Sequence, residues 1–277
     1  MSKLLVRPRQ QPAEDGSLVL VTPESAGWGH VGFEVITLAE GGLVRRGTGD
    51  RELCVVVIEG SAHVLSEHGD WHDLGGRSDP FSGMPDAAYL PPRTNLSLQG
   101  GRGGAELGLC FAPAASGAAA RVLPGADVDV EVRGYGAQER RIHPILMGDR
   151  EADSLLVCEV LTPEGHWSSY PPHKHDRDAL PEESLLEETY YHRVTPAPGF
   201  ALQRVYTDDG TLDESVAARD RDVVLVPRGY HTVSAPPGYA LYYLNVMAGP
   251  ARAWAIANDP DHEWTLDGSR NTDSPAR

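Results

Sequence analysis

Short apolar runs, each ended by glycine or proline, recur along the chain. They are rich in valine, leucine and tyrosine, as in LCVVVIEG, DVVLVP and YALYYLNVMAG. Runs of this length and composition are typical of strands joined by turns. No long window keeps the 3.6-residue apolar period of an amphipathic helix. The sequence therefore predicts an all-β protein.

The runs place strands in both halves of the chain. An entry arm leads to a first strand in SLVLVTP, and the long run at 52–65 is expected to form a hairpin that turns at IEG. Further strands are expected at 32–38, 86–91, 94–98 and 105–112. The segment 113–126 is rich in small residues, proline and glycine, which favours a linker over a short helix. The segment 133–146 then crosses to a second set of strands that begins at SLLVCEVLTP.

The two halves of the chain repeat at an offset of 136 residues. Glu52 falls on Glu188, DAAYLP falls on DVVLVP, and ELGLCFAPA falls on YYLNVMAGP. An internal repeat of this period in a β-rich chain implies two β-barrels of like topology. We therefore expect two domains, residues 1–125 and residues 126–277.

Charge and cysteine content limit the partners and the compartment. With 24 basic and 40 acidic side chains the net charge is −16, which would repel nucleic acid. Cys54, Cys110 and Cys158 are odd in number and lie inside apolar runs, so we expect buried thiols rather than disulfides. No stretch is long and apolar enough for a signal peptide or a membrane span. These features indicate a cytoplasmic protein without a nucleic-acid or membrane partner.

Candidate metal ligands are concentrated in the second half. His173 and His175 are two residues apart, so an extended strand directs both imidazoles to one face. A carboxylate from Glu187 or Glu188 and the imidazole of His231, in PRGYH, would complete a site of three histidines and one carboxylate. Such nitrogen and oxygen ligands suit Zn, Fe, Mn, Co or Ni and do not select one of them.

The repeat also distinguishes the two halves. Asn95 occupies the place of His231, and non-ligand residues at 37–39 fall on the histidine pair. The first half is therefore expected to keep the strands without a metal site. The same offset favours Glu188 over Glu187, because it places Glu188 at the start of a strand.

The motifs WSSYPPHKHD, LLEETYYHR, VPRGYH and YYLNVMAGP together resemble the 5-deoxy-glucuronate isomerases of myo-inositol catabolism, which are relatives of the uronate ketol-isomerase of pectin breakdown. The resemblance covers the chain to about residue 265. It implies a bicupin, two jelly-roll barrels, and a cytosolic aldose–ketose isomerase with one divalent metal ion in the second barrel. The family's ligands fall on His173, His175, Glu188 and His231. Twelve residues separate His175 from Glu188, more than cupins usually leave, so this segment is expected to loop out.

Strand spacing nominates further residues for such a reaction. Tyr190 and His192 follow Glu188 at strand spacing, so both are candidates for the acid or base that moves a proton. Tyr243 and Asn245 share a face of the last strand and could bind substrate hydroxyl groups.

The carboxylate of a sugar acid requires a cation. Arg204 and Arg228 are the favoured candidates, and the crossover segment adds Arg140, Arg141 and His143. Strand alternation turns Lys174 outward, away from the histidines on either side of it, and Glu187 is expected on the solvated surface. No second metal site is expected at the remaining histidines around EHGDWH, which are His63, His68 and His72.

Three other functions stay open. One is the related uronate ketol-isomerase of pectin degradation; another is a cupin dioxygenase, since Fe(II) takes a similar ligand set. The third is a sugar-binding bicupin without turnover. The sequence selects neither the metal nor the base, and it leaves open whether the protein forms a small homo-oligomer.

Overall fold

The computed structural model of the protein describes residues 2–267. The N-terminal half contains one short helix, α1 (Pro23–Ala26), and nine strands: β1 (Leu5–Val6), β2 (Ser17–Val21), β3 (Gly32–Leu38), β4 (Leu43–Gly47), β5 (Arg51–Ser66), β6 (Gly69–Arg77), β7 (Ala87–Leu90), β8 (Asn95–Pro113) and β9 (Arg121–Leu123). The C-terminal half contains β10 (Glu131–Arg133), β11 (Arg140–Leu146), β12 (Leu156–Thr162), β13 (Trp167–Lys174), β14 (Asp176–Ala179), β15 (Glu183–Leu185), β16 (Glu187–Thr195), β17 (Phe200–Tyr206), β18 (Asp213–Arg219), β19 (Val223–Val226), β20 (Tyr230–Ser234), β21 (Ala240–Ala248) and β22 (Ala257–Asn258). Short 3-10 turns lie at Gly125–Asp127, Gly136–Gln138 and Glu263–Leu266.

Two sheets form the C-terminal half. A seven-stranded sheet has the order β1-β19-β16-β21-β12-β11-β10, and a five-stranded sheet has the order β18-β17-β20-β13-β22. Alternate side chains of both sheets form one apolar core, which includes Val160, Val205 and Val233. The first strand, β1, pairs with β19, so the N-terminal arm belongs to this half of the fold.

The N-terminal half is one curved eight-stranded sheet. β5 and β8 pair along most of their length; β3 and β7 flank one end of the pair, and β4 and β6 flank the other. The register of β5 shifts near Gly60, whose φ of +76° and contact with the Gly104 carbonyl leave no room for a Cβ atom. The resulting bend lets the two ends enclose a core of their own, which includes Val55 and Val64.

Three sequence expectations for this half are wrong in detail. The IEG segment is a bulge inside β5 and not the turn of a hairpin. The runs at 94–98 and 105–112 form the single strand β8, and the expected linker contains β9, which pairs with β7. Glycines permit a strand to bend as readily as to turn back, so the sequence signal for the two is the same.

A third apolar cluster joins the halves. Phe33 and Val56 from the N-terminal half pack with Tyr191, Leu244 and Val246 from the C-terminal half, and all are buried. The faces that carry these residues are the outer faces of the two halves, so the halves pack against each other through their sheets.

Buried polar contacts accompany this interface. Arg77 forms two hydrogen bonds of 2.9 Å to the carboxylate of Glu159 across the halves, and both side chains are at most 3% exposed. His143 Nδ1 lies 2.7 Å from the same carboxylate. Glu52 accepts hydrogen bonds from the backbone N–H groups of residues 153–155, at the entry to β12.

Strand register corrects the alignment of the repeat. Ala112 of β8 and Ala248 of β21 are 136 residues apart and are equivalent positions of the repeat. Ala112 pairs with Glu52 of β5, whereas Ala248 pairs with Glu187 of β16. Glu52 therefore corresponds to Glu187, and the counterpart of Glu188 is Leu53. The residues at 37–39 lie at the end of β3 and beyond it, and are not the counterparts of the histidine pair.

The pairing of β4 gives the correct counterpart for the first histidine. Gly47 pairs with Asn95 as His173 pairs with His231.

The expectation of an all-β protein is confirmed. The fold is built almost wholly from strands. Cys54, Cys110 and Cys158 are buried free thiols. Within residues 2–267, none of the helices combines the length and apolar character needed to cross a bilayer.

Candidate active site

Three imidazoles converge inside the C-terminal half. His173 lies near the end of β13 and His175 follows that strand, while His231 lies on β20 directly opposite His173. One ring nitrogen from each lies within 4.8 Å of the other two, a group able to hold a metal ion. Alternation along an extended segment places the first two on one face, and strand pairing supplies the third.

Glu188 meets this group from the opposite sheet. It lies on β16 and is 3% exposed. Its Oε2 atom is 3.1 Å from Nε2 of His175 and 3.1 Å from Nε2 of His231. The four side chains thus lie between the two sheets, and the intervening segment loops out as β14 and β15.

Backbone carbonyl groups determine which ring nitrogen of His175 and of His231 carries a proton. Nδ1 of His175 lies 3.0 Å from the carbonyl of Leu186, and Nδ1 of His231 lies 3.2 Å from that of Gly229. A carbonyl accepts only, so each Nδ1 carries a proton and Nε2 is the nitrogen that each ring directs inward.

Lone pairs that face a carboxylate repel it unless a proton or a cation lies between them. Nε2 of His231 is buried, and its 3.1 Å contact with Oε2 of Glu188 does not have the geometry of a hydrogen bond. These donors are the nitrogen and oxygen atoms that Zn, Mn, Fe, Co and Ni bind. The residues therefore fit a divalent cation.

The protein also sets the charges of this group. Burial raises the pKa of Glu188, but its close contacts with His175 and His231 outweigh burial and lower it to about 2. Burial and the two neighbouring imidazoles hold the pKa of His173 well below 6.5. A carboxylate that stays ionised and a histidine that stays neutral are the forms that ligate metals.

A cavity of about 950 Å³ opens onto the group. His173 and Glu188 line it, together with Tyr190, Tyr243 and Asn245. The sequence-predicted hydroxyl-binding residues therefore lie in the same cavity as two of the candidate ligands. The volume is in the range of small-molecule sites. The other lining residues include Arg133, Arg140, Tyr170, Met247 and Trp254.

Two tyrosines line this cavity, and their hydroxyls contact serines of β13. Tyr190 OH lies 2.9 Å from Ser169 Oγ, and Tyr243 OH bonds Ser168. Burial raises the pKa of Tyr190 well above 10 and that of Tyr243 to about 12. Both are neutral near pH 7 and can donate a hydrogen bond to a substrate oxygen.

The two serines were not predicted from the sequence. Ser169 has φ of +51°, in the left-handed region, where a residue other than glycine or asparagine is strained. The sequence gives little indication of a role for Ser168 and Ser169, because they are two ordinary polar residues before Tyr170 and Pro171 in β13.

His192, the other predicted acid–base candidate, is not in the lining of the cavity. It is fully buried, and its Nε2 lies 3.0 Å from Gln203 Oε1. Burial lowers its pKa to about 4. Its ring stacks on Tyr190 at 6.2 Å, so it supports the cavity wall from behind.

The favoured cations for the substrate carboxylate also lie elsewhere. Arg204 is exposed and pairs with Asp213, and Arg228 donates to Thr211 on the exterior. Neither lines the cavity. Lys174 points away from the histidines, as expected, and its Nζ pairs with acidic groups.

Glu187 does not lie on the solvated surface, and the expectation for it is wrong. Its carboxylate accepts backbone N–H groups of Gly29, His30 and Val31, at 2.6, 2.7 and 2.9 Å. Glu187 therefore ties β16 to the N-terminal half, in the same way that Glu52 holds the C-terminal half.

Comparison with known proteins identifies the family. The sequence model of the KduI/IolB family matches residues 4–265. The chain belongs to the KduI/IolB family. A 5-deoxy-glucuronate isomerase from Geobacillus kaustophilus is 51% identical to this KduI/IolB chain over 96% of each. The family resemblance expected from the sequence is thereby confirmed.

Solved structures agree with this assignment to the KduI/IolB family. An IolB-like protein from Salmonella typhimurium LT2 is 42% identical and superposes with a TM-score of 0.92, over 96% of this chain and all of that one. A Bacillus subtilis oxalate decarboxylase, 16% identical with a TM-score of 0.64 over 93% of this chain and 80% of that one, shares the fold alone. The expected bicupin fold is confirmed.

Proposed function

We propose that the protein is a metal-dependent aldose–ketose isomerase that converts 5-deoxy-glucuronate into 2-deoxy-5-keto-gluconate. The observation that carries this proposal is the 51% identity to a 5-deoxy-glucuronate isomerase over 96% of both chains. The cavity, with its imidazole and carboxylate group at one side, is suited to a small sugar acid.

The reaction moves hydrogen within one molecule. The proton on C2 is removed and one is delivered to C1, while the hydroxyl proton of O2 is transferred to O1, so no external oxidant or reductant is needed. We assign the metal to His173, His175, Glu188 and His231. When bound there, a divalent cation would act as a Lewis acid that stabilises the developing oxyanion.

The protein's own groups position the sugar. The neutral hydroxyls of Tyr190 and Tyr243 donate hydrogen bonds to substrate oxygens, and Tyr190 is the better candidate for delivering a proton because it lies nearest the histidines, 5.7 Å from the ring of His231 between centroids. Asn245 contributes an amide from the same wall. His192 positions Tyr190 by stacking.

We further propose that the N-terminal half from β2 to residue 125 forms a cupin barrel without metal, and that residues 126–267 together with β1 form the catalytic barrel. The counterparts of His173, Glu188 and His231 support this, because they are glycine, leucine and asparagine, which offer no equivalent ligand set.

The decisive test is an assay of keto-acid formation from 5-deoxy-glucuronate. We expect turnover that is lost in chelator, returns when a divalent metal is added back, and proceeds equally well without oxygen. Oxygen dependence would favour a cupin dioxygenase. Metal and sugar-acid binding without turnover would favour the non-catalytic bicupin. Preference for a pectin-derived uronate would favour the ketol-isomerase of that pathway.

A further inference from the structure

One guanidinium lines the cavity without an acidic partner. It belongs to Arg140, the first residue of β11. We propose that Arg140 is the residue that binds the carboxylate of the substrate. This inference rests on the proposed function, since it assumes that the ligand is a sugar acid.

The position of Arg140 is fixed by the backbone around the site. Its Nη1 donates to the carbonyl of Gln138 at 3.1 Å and to that of Tyr170 at 3.4 Å. Tyr170 lies on β13, three residues before His173. The guanidinium is thus held beside the strand that carries the histidines, with its other nitrogens free of bonds to described residues.

The side chain of Arg140 is a cation without an acidic partner in the described part of the chain, so an anionic ligand would be stabilised beside it. Among residues 2–267, no Asp or Glu oxygen lies within 4.0 Å of its nitrogens. The side chain of Arg140 is partly buried, and this burial lowers its pKa. A partly buried cation without a counter-ion is unfavourable, and an anionic ligand relieves this cost.

Other arginines lack this combination of position and free charge. Arg133 also lines the cavity, but it pairs with Glu131 and packs on the ring of Trp254 at 4.9 Å. Arg204 pairs with Asp213 outside the cavity. Arg140 alone, within the described chain, is both inside the cavity and free to form the two-pronged contact that guanidinium makes with carboxylate.

The assignment also gives the substrate a direction. In the proposed sugar acid the aldehyde and the carboxylate are at opposite ends of the carbon chain. Arg140 and His173 both line the cavity. Binding the carboxylate at Arg140 leaves the aldehyde end for the histidine group, where the chemistry is proposed to occur.

The kinetic test uses Arg140→Met and Arg140→Lys, with Arg141→Met as the matched control because Arg141 is the adjacent and exposed arginine. For Arg140→Met we expect KM to rise at least ~30-fold, the effect of removing one partner of a desolvated charge pair, with kcat within about threefold. Arg140→Lys should recover part of the loss, and Arg141→Met should match wild type. An unchanged KM in Arg140→Met would overturn the assignment.

A binding test separates this inference from the proposed reaction. The probes are glucuronate and the neutral sugar glucose, titrated calorimetrically into metal-loaded wild type and into Arg140→Met shown to be folded by its Tm. We expect glucuronate to bind wild type more tightly than glucose does, and Arg140→Met to lose this preference. Should wild type lack isomerase activity yet show this loss, the reaction is wrong and the carboxylate site stands. Equal glucuronate affinity in both proteins, or none in wild type, overturns the carboxylate site.

Discussion

Adjacent glutamates on β16 should have separable effects on metal binding and on stability. Glu188 faces the imidazoles, with Oε2 at 3.1 Å from two of them. Glu187 faces the other way and accepts three backbone N–H groups from the N-terminal half. The isosteric substitutions Glu188→Gln and Glu187→Gln each remove one charge without changing side-chain size. We expect the first to weaken metal binding and the second to weaken the fold.

The expected magnitudes follow from these contacts. Loss of groups that merely orient metal ligands costs about 10–100-fold in affinity, so loss of the direct carboxylate at Glu188 should cost at least about 100-fold. Metal at about 1,000 times its Kd stabilises a protein by about 4.1 kcal/mol, and a 100-fold weaker site retains only about 1.4 kcal/mol of this. The metal-induced rise in Tm should therefore shrink by about 5–10 °C in Glu188→Gln.

For Glu187→Gln the loss has a different origin. An amide keeps one acceptor oxygen and replaces the other by an NH2 group, so at least one of the N–H groups of residues 29–31 loses its acceptor. Leaving a poorly hydrated donor unpaired costs about 1–3 kcal/mol. This loss should be the same with and without metal.

The assay is thermal unfolding of wild type and both variants, each measured in chelator and in saturating Mn²⁺ or Zn²⁺. The difference between the two conditions reports metal binding, and the value in chelator reports the fold. The reasoning is refuted if Glu188→Gln keeps the full metal-induced shift. It is also refuted if Glu187→Gln loses that shift.

Three further results are expected. Tyr190→Phe should lower kcat by about 10²–10⁴-fold, the usual contribution of a proton-transferring group, and steady-state kinetics will measure it. Arg77→Met leaves the Glu159 carboxylate buried without its guanidinium, so urea unfolding should show a loss of about 3–5 kcal/mol. Burial lowers the pKa of His175, but Glu188 outweighs burial and raises it, so in chelator the folded protein binds this proton more tightly than the unfolded chain does. That stabilisation is complete below about pH 6.5 and is lost as pH rises through the folded-state pKa, so above about pH 6.5 the Tm in chelator should fall with rising pH.

Each of these has a matched control. Arg204→Met removes an exposed ion pair and should cost less than about 1 kcal/mol, against the larger loss for Arg77→Met. Glu188→Gln in chelator should abolish the contribution of His175 to the fall of Tm with pH. Tyr190→Phe should keep the metal-induced rise in Tm. A normal kcat in this variant, or a pH trend unchanged by Glu188→Gln, would contradict the roles given to these residues.

The candidate ligands could be predicted because they depend on local spacing. His173 and His175 share a face of one extended segment, and their spacing of two residues in the sequence is enough to predict this. Glu188 was preferred over Glu187 on the basis of a fixed offset, and the geometry favours the same residue although the alignment was off by one. Residues of β5 correspond to residues of β16 at an offset of 135 and not 136, because Glu52 is the counterpart of Glu187. A shift of one residue between two strands leaves little trace in a sequence.

Roles that depend on distant partners could not be predicted in the same way. Arg204, Arg228 and Arg140 look alike in the sequence, and all three lie on or beside strands. What distinguishes them is that Asp213 neutralises the first, Thr211 holds the second outside the cavity, and no acid meets the third. A side chain's charge partner is set by the tertiary fold, so the sequence alone could not rank the three arginines.

Alternation along β16 indicates what the N-terminal half contributes to the candidate site in the other half. Glu188 and Tyr190 face the cavity, while Tyr191 and Arg193, on the other face, bond the buried Glu106 of β8. The contacts of the N-terminal half with Tyr191 and Arg193 therefore fix the register and the position of β16, the strand that carries Glu188. A ligand displaced by one residue would turn to the wrong face, so a rigid partner on the far side protects the geometry of the site. We infer that the N-terminal half acts as a scaffold for the ligand-bearing strand.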